Sequence, residues 1–277
     1  MSLSQSAVQA DDVPPPVETT KWTRARITGV VLLAIWAMLG LGIVLFLVSS
    51  WNPELFQRYA PNYLSGLWVT VQLVVISTLV GAALSVPIAM GRRSKKRVIA
   101  SLAYAYVYFF RGTPLLAQTF LIYYGLGSFR PELQAIGLWN FFREAWYCAI
   151  FAFTLNTAAY QAEILRGAVE SVGRGQWEAA AALGLSRFQT LRKIVLPQAF
   201  LVALRSYGNE IILLIKGSAI VAIITVYDLM GETRRAYSRT FDFQTYIWAA
   251  LIYLSMVEFL RIATDRIERR LTRHLRR

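Results

Sequence analysis

The sequence predicts an all-α polytopic membrane protein with about six transmembrane helices. Of its 277 residues, 56% are hydrophobic, and the mean hydropathy is +0.44. These apolar residues form long runs, each close to or above the roughly 20 residues that a helix needs to cross a bilayer. The alternating segments of about ten residues that are typical of membrane β-barrels do not occur, so the spans are predicted to be helices.

Six apolar runs are candidate spans. They cover residues 30–48, 64–90, 98–126, 145–168, 200–226 and 246–262. The first run carries no charge and is longer than the apolar core of a signal peptide, so we interpret it as a retained span.

The spans divide the chain into four predicted regions. These are a polar, disordered cytoplasmic tail over residues 1–26, an extra transmembrane helix and outer loop over 27–60, a membrane core over 61–265, and a basic cytoplasmic tail over 266–277. The tail prediction rests on polar composition and on the run of Pro14, Pro15 and Pro16.

The net charge of +13 is distributed unevenly between the two sides of the membrane. Lys and Arg concentrate in residues 21–26, 92–97, 166–193 and 261–277, which the six spans place on one side. The other side carries only Arg58, Arg130, Arg143, Arg234, Arg235 and Arg239. The positive-inside rule therefore predicts that both termini are cytoplasmic, as an even span count also requires. This distribution explains the charge without a nucleic-acid partner.

The connection between the last two spans carries three arginines on the outer side. Asp228, Glu232 and Asp242 accompany Arg234, Arg235 and Arg239. A solvated loop in which these charges compensate one another is one interpretation. A docking surface for an external partner is the other.

Enzymatic chemistry of the common kinds is not predicted. The only cysteine is Cys148 and the only histidine is His274, so neither a Cys/His metal cluster nor a Cys-His dyad can form. No G-x-x-x-x-G-K-[ST] string occurs, so the chain has no phosphate-binding loop of that type. An ion-coupled secondary transporter is the alternative membrane function, but it would need an internal repeat, and the two halves show none.

The connection between the fourth and fifth spans, residues 166–197, is long enough to hold structure of its own. Ala179 to Leu183 are strong helix formers, Gly184 is a natural helix end, and Ser186 can cap a second helix that runs to Pro197. We expect a short helix that lies across the membrane face. It could be a socket for another protein or an amphipathic helix resting on the headgroups.

Polar residues interrupt the third and fourth spans. In the third span, Gly112 and Pro114 predict a break beside Arg111 and Thr113, which is either a pore-lining turn or a kink whose arginine reaches the headgroups. In the fourth span, three polar residues at offsets of four and three share one helical face. They are Asn156, Tyr160 and Glu163.

This stripe in the fourth span could bind the charged groups of a polar ligand. Alternatively, Glu163 pairs with Arg166, three residues later. The fifth span carries the polar residues Asn209, Glu210, Lys216 and Ser218, so we predict a broken helix there whose charged residues find partners elsewhere.

The string EAAAALGLSRFQTLRKIVLP, residues 178–197, resembles the coupling motif of permeases of binding-protein-dependent ABC importers. The fixed positions of that motif match Glu178, Ala179, Ala180, Gly184, Ile194, Leu196 and Pro197. The resemblance implies a type I importer permease fold with a coupling helix near residues 174–192. In that family this helix docks on a cytoplasmic ATPase.

Further segments are similar to those of polar amino acid permeases. They are RGTPLL at 111–116, AYQAEILRG at 159–167 and YGNE at 207–210, the last nearer the branch for basic amino acids and opines. The resemblance implies a bacterial inner-membrane transport subunit with a second permease, either a related chain or a second copy, two ATPase subunits that bind ATP and Mg, and an extracytoplasmic binding protein. The substrate implied is a polar or basic amino acid or an opine.

Overall fold

The computed structural model describes residues 23–49 and 51–273, all of whose regular structure is helical. Twelve α-helices follow one another along this part of the chain. They are α1 Arg24–Ser49, α2 Pro53–Arg92, α3 Arg97–Gly112, α4 Leu115–Phe120, α5 Arg130–Ala135, α6 Trp139–Phe142, α7 Ala145–Ser171, α8 Arg174–Ala182, α9 Arg187–Thr190, α10 Leu196–Ser218, α11 Leu229–Thr240 and α12 Gln244–Leu271. The all-α prediction is confirmed. The disordered tail predicted over residues 1–26 lies almost wholly outside the described residues, as does His274.

In the part of the chain that the structure describes, four helical stretches are long and apolar enough to cross a membrane, namely Arg24–Ser49, Pro53–Arg92, Arg187–Ile224 and Gln244–Leu271. Helix α7, in the predicted fourth span, has 27 residues and also exceeds the length that a bilayer requires. It is less apolar because its faces are buried in the bundle, where Ala, Thr and Gln pack more closely than Leu.

The described chain divides into two units. Helix α1 is one unit, and its side chains are apolar on all faces with none buried. The second unit begins at Pro53, so the outer connection that we placed before residue 61 is in fact helical over its last part. Proline at the first helical position and Glu54 in the first turn both favour a helix start there.

Helix α7 is the centre of the second unit. It packs against α2, α3, α4 and α10, and α10 packs in turn against α12. The main core forms around the fully buried side chains of Leu73, Phe153, Val221 and Ile224. Small residues let the helices approach closely: a Cβ on Gly81 of α2 would lie 2.5 Å from Cγ2 of Thr157 on α7.

The connection with three arginines is the helix α11, so the prediction of a solvated, self-compensating loop is wrong. Asp228 begins this helix by accepting a hydrogen bond from the Gly231 N–H at 2.8 Å. Among the described residues of α11, the only ion pair within the helix joins Glu232 and Arg235, with 3.4 Å between Oε1 and Nη1. Buried Leu229 packs α11 against α2 and α12, and this apolar contact is why the segment is ordered as a helix.

Candidate functional site

The third predicted span is interrupted where the sequence places Gly112 and Pro114. Helix α3 ends at Gly112, Thr113 and Pro114 are extended, and α4 begins at Leu115, so the predicted break is confirmed. In a continuous helix, the Phe110 carbonyl would accept from the backbone N–H of residue 114, which proline lacks. The break therefore leaves a carbonyl that needs a donor inside the bundle.

Two buried amides supply that donor. Gln118 Nε2 donates to the Phe110 carbonyl at 2.9 Å, and Asn156 Nδ2 donates to the same oxygen at 3.0 Å. Gln118 also bonds the Thr113 carbonyl at 3.0 Å, and its Oε1 accepts from Asn156 at 2.9 Å. The turn is thus fixed to α7 by a closed amide network. Sequence reasoning selected Asn156 and Thr113 but missed Gln118. The position of Gln118, one helical turn after Pro114, is the feature of the sequence that could have indicated its role.

A second polar group lies next to this network, between α7 and α10. Glu210 is buried, and its Oε1 accepts a hydrogen bond from Thr157 Oγ1 at 3.0 Å. Gln161 Nε2 donates to Thr157 at 3.1 Å and to the Thr78 carbonyl of α2 at 3.2 Å. Within the described residues, no Lys or Arg lies within 4 Å of the Glu210 carboxylate. Sequence reasoning missed Thr157 and Gln161, because each lies one position beyond Asn156 and Tyr160 and so outside the predicted polar stripe.

The fifth predicted span is not broken around Glu210. Helix α10 is continuous through Ser218 and then tightens into a 3₁₀ turn, Ala219–Ile224. Its polar residues do not interrupt it, because Glu210 faces α7 instead of lipid. Gly208 allows a close approach to α12, since a Cβ there would lie 2.7 Å from Thr264 Cγ2.

The other predicted pathway residues separate into two groups. Arg111 is exposed and lies over the Tyr160 ring, with 5.1 Å from the guanidinium carbon to the ring centroid. Asn209 and Lys216 are exposed on α10, whereas Ser218 is buried and donates to the Ile215 carbonyl. The structure therefore brings Thr113, Asn156 and Glu210 to adjacent networks. It does not bring Lys216 and Ser218 to them.

Glu163 lies away from these networks, at the end of the bundle where α2 and α7 finish. Arg92 Nε lies 2.9 Å from its Oε1, and Arg166 Nη2 lies 2.8 Å from its Oε2. The Glu163–Arg166 pair given as an alternative is therefore present. Arg92 also lies over the ring of Tyr104, so it joins α2 to both α3 and α7. We call this end of the bundle, which carries residues 92–97 and 174–192, the basic end.

The segment that resembles a coupling motif forms a helix-turn-helix at the basic end. Helix α8 ends just before Gly184, whose φ of +73° is a conformation that strongly favours glycine. Ser186 caps α9 in a capping box with Gln189, so the predicted cap is confirmed. The second helix does not stop at Pro197. A π-helical turn, Leu191–Val195, precedes this proline and lets the helix continue into α10 without the missing N–H.

The surface of this segment is partly apolar. Ala180 is buried and Trp177 packs α8 against the core around Val169 and Val195, while Leu183 is 77% exposed and Phe188 is 69% exposed. Glu178 and Phe188 also line a cavity of about 620 Å³. Exposed apolar side chains around a concave surface are typical of a protein interface. The remaining motif positions, Ile194, Leu196 and Pro197, lie in the π turn and the start of α10.

Comparison with known proteins agrees with this architecture. The family described as "Binding-protein-dependent transport system inner membrane component" matches residues 81–276. The nopaline transport system permease protein NocM of Agrobacterium fabrum is 48% identical over 195 residues, covering 70% of this chain and 81% of that protein. The arginine ABC transporter permease protein ArtM of Escherichia coli K12 is 38% identical over 214 residues, covering 77% and 96%.

A solved structure matches this chain over a similar share of its length. It is the crystal structure of an amino acid ABC transporter with histidines. The matched chain is 33% identical and superimposes with a TM-score of 0.70, covering 79% of this chain and 98% of that one. The helical arrangement is therefore shared with a chain of an amino acid ABC transporter of known structure.

Proposed function

The chain belongs to the family of inner-membrane components of binding-protein-dependent transport systems, and we propose that it is the permease subunit of an ATP-driven importer of basic amino acids or opines. The observation that carries this proposal is the α8–Gly184–α9 segment, which presents an exposed apolar surface at the basic end. The relatives named for nopaline and arginine support the substrate class.

In the proposed mechanism, energy comes from two partner ATPase subunits that bind ATP and Mg. One of them would dock against Glu178, Ala179 and the exposed Leu183 and Phe188 of this chain, and the other against the second permease, so that nucleotide-driven closure moves α8. Helix α9 continues through the π turn into α10, which carries Glu210. A displacement of α8 would thus pass through the Gly184 turn and then reach the polar networks along the helical path from α9 to α10.

The substrate path is proposed to pass beside the networks of Asn156 and Glu210. A buried carboxylate with no basic group of the described residues within 4 Å is costly in a membrane, and a cationic substrate group would offset that cost. Arg111, on the adjacent turn, could attract the substrate carboxylate. The path would be completed by a second, related permease, and an extracytoplasmic binding protein would deliver the substrate. Both termini would face the cytoplasm of a bacterial inner membrane.

The coupling proposal is tested by ATP-driven uptake of radiolabelled arginine, histidine, glutamate and nopaline into proteoliposomes that contain the chain with its candidate partners. Gly184→Val is compared with Gly175→Val in the same segment. Valine at 184 must adopt a positive φ, which costs about 1–3 kcal/mol and predicts a loss of uptake of about fivefold or more. Position 175 lies within α8, and a Cβ added there would meet no atom within 4 Å, so its variant should retain uptake.

Two outcomes would contradict the proposal. Uptake that proceeds without ATP or ATPase subunits would indicate a secondary transporter. Equal uptake by the two glycine variants would show that the turn does not transmit energy. For the substrate path, Glu210→Gln should raise the KM for arginine, whereas Glu258→Gln on the exposed face of α12 should not.

A further inference from the structure

A groove outside the polar networks lies at the basic end, between α2 and α7. It encloses about 160 Å³, and its walls are almost wholly apolar. The apolar lining residues come from α2, α7, the π turn and the start of α10. They include Val86, Ala89, Met90, Val169, Leu191 and Leu196. We call it the α2–α7 groove.

The groove is open to the surroundings of the bundle. Val86 is 46% exposed and Met90 is 69% exposed, on the last turns of a helix long enough to cross the membrane. Leu196 is also exposed, at the start of α10. Exposed apolar side chains near the end of a membrane-spanning helix are stabilised by contact with lipid acyl chains. An acyl chain also fits a narrow groove that is open on one side.

Two arginines lie at the groove, and they differ in their pairing. Arg166 is already ion-paired with Glu163 and Glu170. Arg93 is exposed, and no carboxylate of the described residues lies within 4 Å of it. Lys95 and Lys96, also exposed, follow it closely in sequence. An unpaired cation therefore lies beside an apolar groove, which is the complementary pattern to a lipid with an anionic headgroup.

We propose that the α2–α7 groove binds an anionic phospholipid of the cytoplasmic leaflet. Its acyl chain lies along Val86, Met90 and Leu196, and its phosphate contacts Arg93. The inference rests on the proposed orientation, in which the basic end is cytoplasmic. Arg93 also lines the larger cavity beside α8, so a lipid bound here contacts the support of the coupling segment.

The test is native mass spectrometry of the assembled importer, purified in detergent and incubated with phosphatidylglycerol or phosphatidylcholine of identical acyl chains. The wild type should retain phosphatidylglycerol preferentially. Arg93→Gln should reduce its retention about fivefold, as expected for one basic residue near an anionic headgroup. Arg97→Gln, in the same basic run but outside the groove, is the matched control.

A second pair of variants tests the apolar half of the site. Val86→Trp fills the groove from an exposed position and should reduce retention, whereas Val80→Trp, equally exposed and six residues earlier on α2, should not. Equal effects of Arg93→Gln and Arg97→Gln, or no effect of Val86→Trp, would overturn the proposal. So would loss of an ATPase subunit from Arg93→Gln with lipid retention unchanged, because Arg93 would then bind protein.

This measurement separates the lipid proposal from the transport proposal, because lipid retention is measured by mass spectrometry and does not depend on uptake. A groove covered by the second permease would give no difference between any of the variants, which would also overturn the lipid site. Loss of uptake in the glycine variants bears only on coupling.

Discussion

At the scale of single residues, Pro114 explains why two amides are buried in the bundle. Proline removes one backbone donor, and the Phe110 carbonyl is then satisfied by Gln118 and Asn156. These side chains belong to different helices, so the proline converts a local backbone defect into a tertiary contact between α4 and α7. A buried carbonyl with two amide donors also fixes the position of the turn next to Arg111.

Replacing Gln118 with Leu is expected to destabilise the protein. The substitution leaves the Thr113 carbonyl without its side-chain donor and removes one of the two acceptors of the Asn156 amide. Each unsatisfied buried polar group costs about 1–3 kcal/mol, so the thermal midpoint in detergent should fall by several degrees. Asn209→Leu changes an exposed amide on α10 and should shift the midpoint little. Equal midpoints for the two variants would contradict the role of the amide network.

Asp228 gives the folded protein a pH dependence. It is fully buried, and burial raises the pKa of its carboxyl from 3.8 to about 6, despite hydrogen bonds from Gly231 and Tyr253. The folded chain therefore holds the proton more tightly than the unfolded chain. The protonated carboxyl therefore contributes to the free energy of unfolding, and this contribution is fully present below about pH 4. It amounts to up to about 3 kcal/mol and is lost as the pH rises through about 6.

The expected measurement is a wild-type thermal midpoint that falls between pH 4 and pH 7 more steeply than that of Asp228→Asn. Asparagine keeps the helix cap but has no proton to release, so the difference between the two profiles isolates this carboxyl. Glu132→Gln, at an exposed position, controls for the change in net charge. Parallel profiles for wild type and Asp228→Asn would show that the buried carboxyl does not titrate in this range.

At the scale of elements, the sequence predicts features that depend on neighbours along the chain. The break at Pro114 and the cap at Ser186 follow from local chemistry and were predictable. The continuity of α10 was not predictable, because the partner of Glu210 lies 53 residues away on α7. The helical structure of α11 was not predictable for the same reason, because its apolar face packs against α2, more than 150 residues earlier in the chain.

The cap at Ser186 should control the local stability of α9. Ser186→Ala removes the side-chain acceptor of the Gln189 N–H, and the loss of such a cap costs about 0.5–2 kcal/mol. Hydrogen exchange of the amides of residues 187–195 should therefore become about two- to thirtyfold faster. Ser238→Ala, on the exposed face of α11, removes a hydroxyl that caps no helix and should leave this exchange unchanged. Unchanged exchange in Ser186→Ala would indicate that tertiary packing alone holds α9.

At the scale of the whole molecule, two polar systems lie at different depths of one bundle. The amide and Glu210 networks are enclosed by α2, α4, α7 and α10, and the Arg92–Glu163–Arg166 cluster lies at the basic end. Helix α7 carries residues of both, so a movement at the basic end that tilts α7 would also change the geometry around Asn156. This arrangement suits a protein in which one end receives energy and the interior handles a polar substrate.

The proposed orientation makes a prediction that concerns the whole molecule. Cys148 is the only native cysteine and is fully buried, so Cys148→Ala gives a cysteine-free background. In that background, Ser238→Cys on α11 should react with a membrane-impermeant maleimide in intact spheroplasts. Lys95→Cys, between α2 and α3, should react only after permeabilisation. Both positions are exposed, so differences in reactivity report the side of the membrane. Labelling of residue 95 in intact spheroplasts would reverse the topology and, with it, remove the basis for an ATPase docking on α8.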